Sequence, residues 1–135
     1  MTTVLIADDD PLMRRMLADV LATTGARVIE AANGEEAIRI ALERRPDIVL
    51  MDLVMPNVDG LEAIKVLRSQ YPGLKIVALS GGGRNRYLDI LGLADKLGAD
   101  ATLAKPFTPK QLIKLLHDKF GFGRAPPPVP QEPRT

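Results

Sequence analysis

Short runs of apolar residues alternate along this chain with longer stretches in which apolar residues recur every three or four positions. The runs have the length of strands, and the periodic stretches are typical of amphipathic helices. The runs show no polar alternation, which indicates strands buried on both faces and therefore a mostly parallel sheet between helices. We predict five strands, over residues 4–7, 27–31, 48–51, 76–79 and 101–104.

Capping and turn residues mark the helices between these strands. Asp10-Pro11 and Thr108-Pro109 each have the form of an N-cap followed by proline at the first helical position. We predict five helices: from Pro11 to just before Gly25, over 34–45, around 61–67, roughly over 86–97, and from 109 to about 120. The first should turn one apolar face inward, formed by Leu12, Met16, Leu17, Val20 and Leu21.

Composition narrows the class of protein. The chain has 135 residues, 46% of them hydrophobic and 26% charged, with a net charge of +1. This is the size of one ordinary domain, and the charge gives no indication of nucleic-acid or membrane binding. There is no cysteine, no secretory signal is apparent, and we expect a cytoplasmic protein. We predict a domain over residues 1–121 and a proline-rich tail or linker over 122–135.

Polar residues follow four of the five strands at the point where each strand ends. Asp8 and Asp9 follow the first strand, and Asp52, Ser80 and Lys105 follow the third, fourth and fifth. Ligands of open α/β sheets bind at the carboxyl ends of the strands, so we expect these side chains to meet in one pocket.

Three converging carboxylates repel one another and stay ionised together only beside a cation. Oxygen ligands without histidine or cysteine favour a hard ion, and Mg²⁺ is the best candidate. Asp52, the central acid, is the best nucleophile, because a carboxylate can carry a phosphoryl group. Lys105, and the Ser80 hydroxyl with the Gly81 amide, would neutralise the phosphoryl oxygens.

The ordered set of motifs resembles the response-regulator receiver domains of two-component signalling. The resemblance covers roughly residues 2–120 and is carried by the segments VLIADDDP from Val4, MDLVMP from Met51 with Asp59-Gly60, ALSG from Ala78, and AKPF from Ala104. It implies a flavodoxin-like, doubly wound α/β fold with a parallel sheet of order 2-1-3-4-5 and five helices.

The resemblance also implies the role of each residue. Asp52 would accept the phosphoryl group, Asp8, Asp9, Asp52 and the Val54 carbonyl would bind Mg²⁺ (Asp8 directly or through water), and Ser80, Gly81 and Lys105 would bind the phosphoryl group. Ser80 and Thr102 would form the switch. The family often has an aromatic residue where Thr102 stands, so the relay from Ser80 is expected to be weakened or replaced.

The implied function is a phosphorylation-dependent switch that takes its phosphoryl group from a sensor histidine kinase or a histidine phosphotransfer protein. It would work as a single-domain regulator or phosphorelay intermediate, catalysing only its own phosphorylation and dephosphorylation. We expect a downstream protein partner of unknown identity, no nucleic acid or membrane contact by this domain alone, and a monomer or weak homodimer. By the same resemblance, the partner surface would combine residues 86–97, the fifth strand and the last helix.

Three other functions stay open at this stage. An aspartate-nucleophile phosphatase usually has a second acid two residues after the nucleophile, where this chain has Val54. A flavin carrier needs hydroxyls and amides, rather than acids, after the first strand. A receiver-like interaction module without phosphorylation would not require Asp52, Ser80 and Lys105 together.

The remaining charged and polar candidates have simpler explanations. Asp10 is expected to act only as a helix cap, and His117 to face solvent on the last helix. The arginines are scattered pairs, among them Arg14-Arg15 and Arg44-Arg45, and we expect them to be solvated.

Overall fold

The computed structural model describes residues 2–55, 60–80 and 92–122 of the chain. They form a parallel sheet of five strands in the order β2-β1-β3-β4-β5. The strands are β1 (Thr3–Ala7), β2 (Arg27–Ala31), β3 (Ile48–Asp52), β4 (Lys75–Ser80) and β5 (Ala101–Ala104). The predicted strands and sheet order are confirmed, with β1, β3 and β4 extended by one or two residues.

Four helices are described in full: α1 (Pro11–Ala22), α2 (Gly34–Arg44), α3 (Gly60–Gln70) and α5 (Pro109–Phe120). Residues 92–97 are helical and belong to α4, whereas positions 86–91 of that predicted helix lie outside the described residues. None of the helices in these ranges is long and apolar enough to cross a bilayer.

The predicted helix caps are confirmed. The Asp10 carboxylate accepts a hydrogen bond from the Leu12 amide, with Pro11 at the first helical position. Thr108 and Gln111 form a reciprocal capping box at the start of α5. α2 ends one residue earlier than predicted, because Arg45 takes a left-handed conformation (φ 50°) immediately before Pro46.

Two apolar layers enclose the sheet, one on each face. Leu5 and Ala7 of β1 face a layer formed with α2 and α3, and Val4 and Ile6 face a layer formed with α1 and α5. All four side chains are fully buried, which confirms that this strand is covered on both sides. Phe122, just beyond α5, is also buried in the second layer.

The predicted inward face of α1 is partly wrong. Leu17 and Leu21 are buried, but Leu12 is 81% exposed and Met16 is 42% exposed. At 3.6 residues per turn, Leu12 lies roughly 140° around the helix from Leu17 and so cannot share its face. In the first turns of α1, Met13 packs against the second apolar layer, and the side chain of Arg14 is only 19% exposed.

Candidate functional site

Three aspartates converge at the carboxyl ends of the two central strands. β1 and β3 pair in register, with Ala7 opposite Met51, so the residues that follow meet at the same edge of the sheet. Carboxylate oxygens of Asp8, Asp9 and Asp52 all lie within 4.8 Å of one another. Asp8 and Asp52 are buried and Asp9 is exposed. Two carboxylates of this acidic pocket are therefore buried, and the third is in contact with solvent.

Lys105 reaches this pocket from the end of β5, the edge strand on the other side of β4 from β3. Its backbone amide donates to the Ser80 carbonyl (2.6 Å), which anchors the end of β5 beside β4. Its Nζ lies 3.2 Å from Oδ2 of Asp8 and 3.7 Å from Oδ2 of Asp52. Three carboxylates thus face one ammonium group, and the pocket keeps a negative charge that attracts a further cation.

The backbone around Asp8 is held from several directions. Oδ1 of Asp8 accepts a hydrogen bond from the Asp10 amide (2.9 Å), and the Asp8 amide donates to the Ala31 carbonyl (3.1 Å). The Asp8 carbonyl accepts a hydrogen bond from Arg14 (2.7 Å). Asp8 is therefore fixed before any ligand binds.

The Asp52 carboxyl group is a weaker acid here than an aspartate in water. Burial is the largest influence and raises the pKa of Asp52 from 3.8 to about 6. The ammonium of Lys105 and the Val54 amide, 3.3 Å from Oδ1, lower that pKa, whereas Asp8 and Asp9 raise it. A more basic carboxylate that is still mostly ionised above neutral pH is well suited to act as a nucleophile.

Ser80 presents a buried hydroxyl at the same end of the sheet. The side chain is fully buried, and its Oγ has no hydrogen-bond partner among the described residues. A buried polar atom without a partner costs free energy, so such atoms in folded proteins call for a specific explanation. A polar ligand bound in the pocket would give the Ser80 hydroxyl a hydrogen-bond partner and would thus explain its burial.

The other predicted site residues lie in different settings. Val54 is 60% exposed, and its backbone amide donates a hydrogen bond to Oδ1 of Asp52. Thr102 pairs with Ala78 in the sheet and is half-buried. Gly81 lies outside the described residues. The donor set itself, carboxylate oxygens beside an ammonium group, fits a hard divalent cation such as Mg²⁺.

Two residues, Gly60 and Arg14, have a part in the geometry that the sequence did not predict. A side chain at Gly60 would place its Cβ against the Asp52 carbonyl oxygen, so only glycine lets α3 start this close to the strand end. Arg14 was expected to be solvated, which is wrong: it also pairs with Glu30 at 2.9 Å. The spacing of Arg14 from Leu17 and Leu21 was the available signal, because all three lie on one face of α1.

Fold and site together define a doubly wound α/β domain with an acidic, cation-attracting pocket at the carboxyl edge of its sheet. The sequence model of the response regulator receiver domain matches residues 4–117. The chain belongs to the response-regulator receiver family, whose standard role in two-component signalling is that of a phosphorylation-dependent switch.

Relatives and solved structures agree with this assignment. The chain is 39% identical over 115 residues to the chemotaxis protein CheY of Thermotoga maritima, covering 84% of this chain and 93% of that protein. It is 38% identical to the DNA-binding response regulator MtrA of Mycolicibacterium smegmatis, covering 82% of this chain but only 46% of MtrA. The structure of chemotaxis protein CheY4 of Vibrio cholerae superposes with a TM-score of 0.78 at 33% identity, covering 89% of this chain and 99% of that one.

Proposed function

We propose that Asp52 is the phosphoacceptor of this receiver domain and that Asp8, Asp9, Asp52 and the Val54 carbonyl hold Mg²⁺. The observation that carries the proposal is the convergence of three carboxylates within 4.8 Å beside the ammonium group of Lys105. Receiver domains generally use Mg²⁺, and the oxygen ligands here suit it.

The proposed reaction moves a phosphoryl group from a histidine nitrogen of the donor protein to an Oδ of Asp52. The P–N bond breaks and a P–O bond forms, giving an acyl phosphate, and the imidazole leaves with its electron pair and is protonated. The ion would supply charge neutralisation of the phosphoryl oxygens. Burial of Asp52 supports the attack, because it leaves the carboxylate more basic than in water.

Lys105 and Ser80 are proposed to receive the phosphoryl oxygens. The Nζ of Lys105 already lies 3.7 Å from the Asp52 carboxylate, close enough to contact a group attached to it. The Oγ of Ser80, which has no hydrogen-bond partner among the described residues, is available to donate, and the Gly81 amide would complete this set. We propose that the Ser80 contact starts the switch and that Thr102 takes the place of the usual aromatic residue.

The wider setting is proposed from the family. The donor would be a sensor histidine kinase or a histidine phosphotransfer protein, and the domain would act in the cytoplasm as a single-domain regulator or relay component. The chain spans under half the length of two of its relatives, the probable transcriptional regulatory protein TcrX and the DNA-binding response regulator MtrA, so any output beyond the switch is left to a protein partner or further domain. We propose that the domain includes Phe122, which is buried, and that the proline-rich tail follows it.

A phosphatase with an aspartate nucleophile is the main alternative of another class. It needs an acid–base group two residues after Asp52, and the residue there is Val54, whose side chain cannot carry a proton. We therefore propose that turnover is confined to the domain's own phosphoryl group.

Incubation with acetyl phosphate and Mg²⁺, followed by intact mass spectrometry, tests the proposal. We expect one added phosphoryl group on the wild type, none on Asp52→Asn, and an unchanged reaction in the control Asp19→Asn, an exposed acid on α1. The proposal would be contradicted if Asp52→Asn were phosphorylated or if the wild type were not. Continuous release of phosphate from several phosphoesters would favour the phosphatase.

A further inference from the structure

Arg14 connects three parts of the molecule that meet beside the acidic pocket. It lies on the inward face of α1, and its Nη1 donates to the Asp8 carbonyl at 2.7 Å. Its Nε donates to Oε1 of Glu30 on β2 at 2.9 Å. One planar guanidinium therefore bridges the end of β1 and the edge strand, with two donors in fixed relative positions.

The carbonyl that Arg14 holds belongs to the peptide joining Asp8 to Asp9. The orientation of this peptide decides where the following Cα lies and hence which way the Asp9 carboxylate can point. Asp8 has further anchors, from the Asp10 amide and from Lys105. No donor among the described residues bonds to the Asp9 carboxylate, so Asp9 depends on its backbone for its position.

Charge alone gives the opposite expectation for Arg14. A positive group beside the acidic pocket would compete with a divalent cation, and its removal would strengthen cation binding. The contact with Glu30 offsets this charge and turns the guanidinium towards a carbonyl. The two effects therefore differ in sign, which makes them separable by experiment.

We propose that Arg14 is a positioning residue for the divalent cation site, acting through the Asp8–Asp9 peptide, and that Glu30 positions Arg14. The inference rests on the proposed magnesium site and adds to it a second set of residues that hold the ligands. Groups that orient metal ligands typically contribute 10- to 100-fold to metal affinity.

The test is a titration of the full chain with Mg²⁺, in which binding is monitored by the chemical shifts of backbone amides in NMR spectra and by calorimetry. We expect Arg14→Met to weaken Mg²⁺ binding by about 10-fold. The control is Arg15→Met, which removes the same charge from an exposed position on the same helix and should leave the affinity unchanged. Unchanged or tighter binding in Arg14→Met would overturn the inference.

Three further variants separate geometry from charge and from loss of fold. Arg14→Lys keeps the charge, but one ammonium cannot reproduce the two fixed donors, so it should bind Mg²⁺ as weakly as Arg14→Met; full recovery would overturn the geometric role. Glu30→Ala acts from β2 and should also weaken binding, whereas Glu30→Gln keeps the acceptor and should have less effect.

Phosphorylation by acetyl phosphate gives an independent readout. Positioning predicts that Arg14→Met needs more Mg²⁺ for half-maximal rate but regains the wild-type rate at saturating Mg²⁺. A lower rate that no concentration of Mg²⁺ restores would contradict it. Absence of Mg²⁺ binding in the wild type would overturn the magnesium site itself, while equal binding in wild type and Arg14→Met would overturn only the role of Arg14.

Discussion

Asp47 and Asp52 stand at opposite ends of the same strand and have opposite surroundings. Asp47, just before β3, is exposed, and its Oδ2 accepts a hydrogen bond from the Thr3 amide at 2.8 Å. Asp52, the last residue of β3, is buried near two other carboxylates and has a pKa raised to about 6, chiefly by that burial.

The same contrast extends to the residues around each aspartate. At the amino edge of the sheet, the Thr24 hydroxyl donates to the Leu21 carbonyl at 2.6 Å. At the carboxyl edge, the hydroxyl of Ser80 is buried without a partner among the described residues. At the amino edge, the side chains of Asp47 and Thr24 form hydrogen bonds with the backbone. At the carboxyl edge, a buried carboxylate and a buried hydroxyl lie in surroundings that are unfavourable for them. Unfavourable groups of this kind mark the part of a fold that is arranged for a ligand.

The largest expected effect comes from closing the space beside Asp52. Gly60→Ala places a Cβ against the Asp52 carbonyl and the Leu53 Cα, so α3 or the strand end must move. We expect a loss of about 3 kcal/mol in the free energy of unfolding, measured by urea denaturation.

The matched control is Gly73→Ala, in the loop that follows α3 at the amino edge. Apart from Gly73 and its two chain neighbours, no atom of the described residues lies within 4 Å of a Cβ built there, so this variant should keep its stability. Equal stability of the two variants would show that the close approach at Gly60 is not required.

The next effect concerns the charge of Asp52 without metal. Because the folded state holds the Asp52 proton more tightly than the unfolded chain, the wild type loses stability as the pH rises from 3.8 to about 6. Asp52→Asn lacks this loss, so it should be more stable at pH 7.5 by about 1–3 kcal/mol, with the difference vanishing below pH 4.

Asp47→Asn, unlike Asp52→Asn, should lower the stability of the protein at neutral pH. It weakens an exposed hydrogen bond to a backbone amide and should cost at most about 1 kcal/mol at pH 7.5. Denaturant unfolding of both variants between pH 3.5 and 7.5 measures this. A destabilised Asp52→Asn at neutral pH would show that the ion pair with Lys105 outweighs the cost of burying the carboxylate.

The smallest effect is expected at Ser80. Ser80→Ala removes a hydroxyl that bonds to none of the residues the structure describes, so the metal-free protein should keep its stability or gain up to about 1 kcal/mol. Thr24→Ala at the other edge loses a formed hydrogen bond and should lose about 1 kcal/mol. Thermal unfolding compares the two, and an equal loss in both would mean that the Ser80 hydroxyl is already satisfied.

Much of the fold and part of the site could be predicted from the sequence. Buried parallel strands require continuous apolar residues, and a polar residue directly after such a run must lie at the edge of the sheet, as Asp8 and Asp52 do. The predicted inward face of α1 is less accurate, because it includes Leu12, whose angle around the helix leaves it exposed.

Other features depend on distances that residue patterns do not contain. Gly60 enters the prediction only through the family motif that it forms with Asp59, because its approach to the Asp52 carbonyl arises from the packing of α3 on the strand end. The role of Arg14 depends on which carbonyl its guanidinium meets, and periodicity gives a direction but no partner. The pKa of Asp52 follows from burial in the folded protein and has no counterpart in the chain itself.

The central claim is that the acidic pocket holds a divalent ion beside Asp52. A crystal grown with Mn²⁺ in place of Mg²⁺, with anomalous diffraction measured at the manganese edge, tests it most directly. We predict one anomalous peak within coordination distance of the carboxylates of Asp9 and Asp52, and none at Asp47. No peak in the pocket at saturating Mn²⁺, or a peak only elsewhere on the protein, would contradict the account.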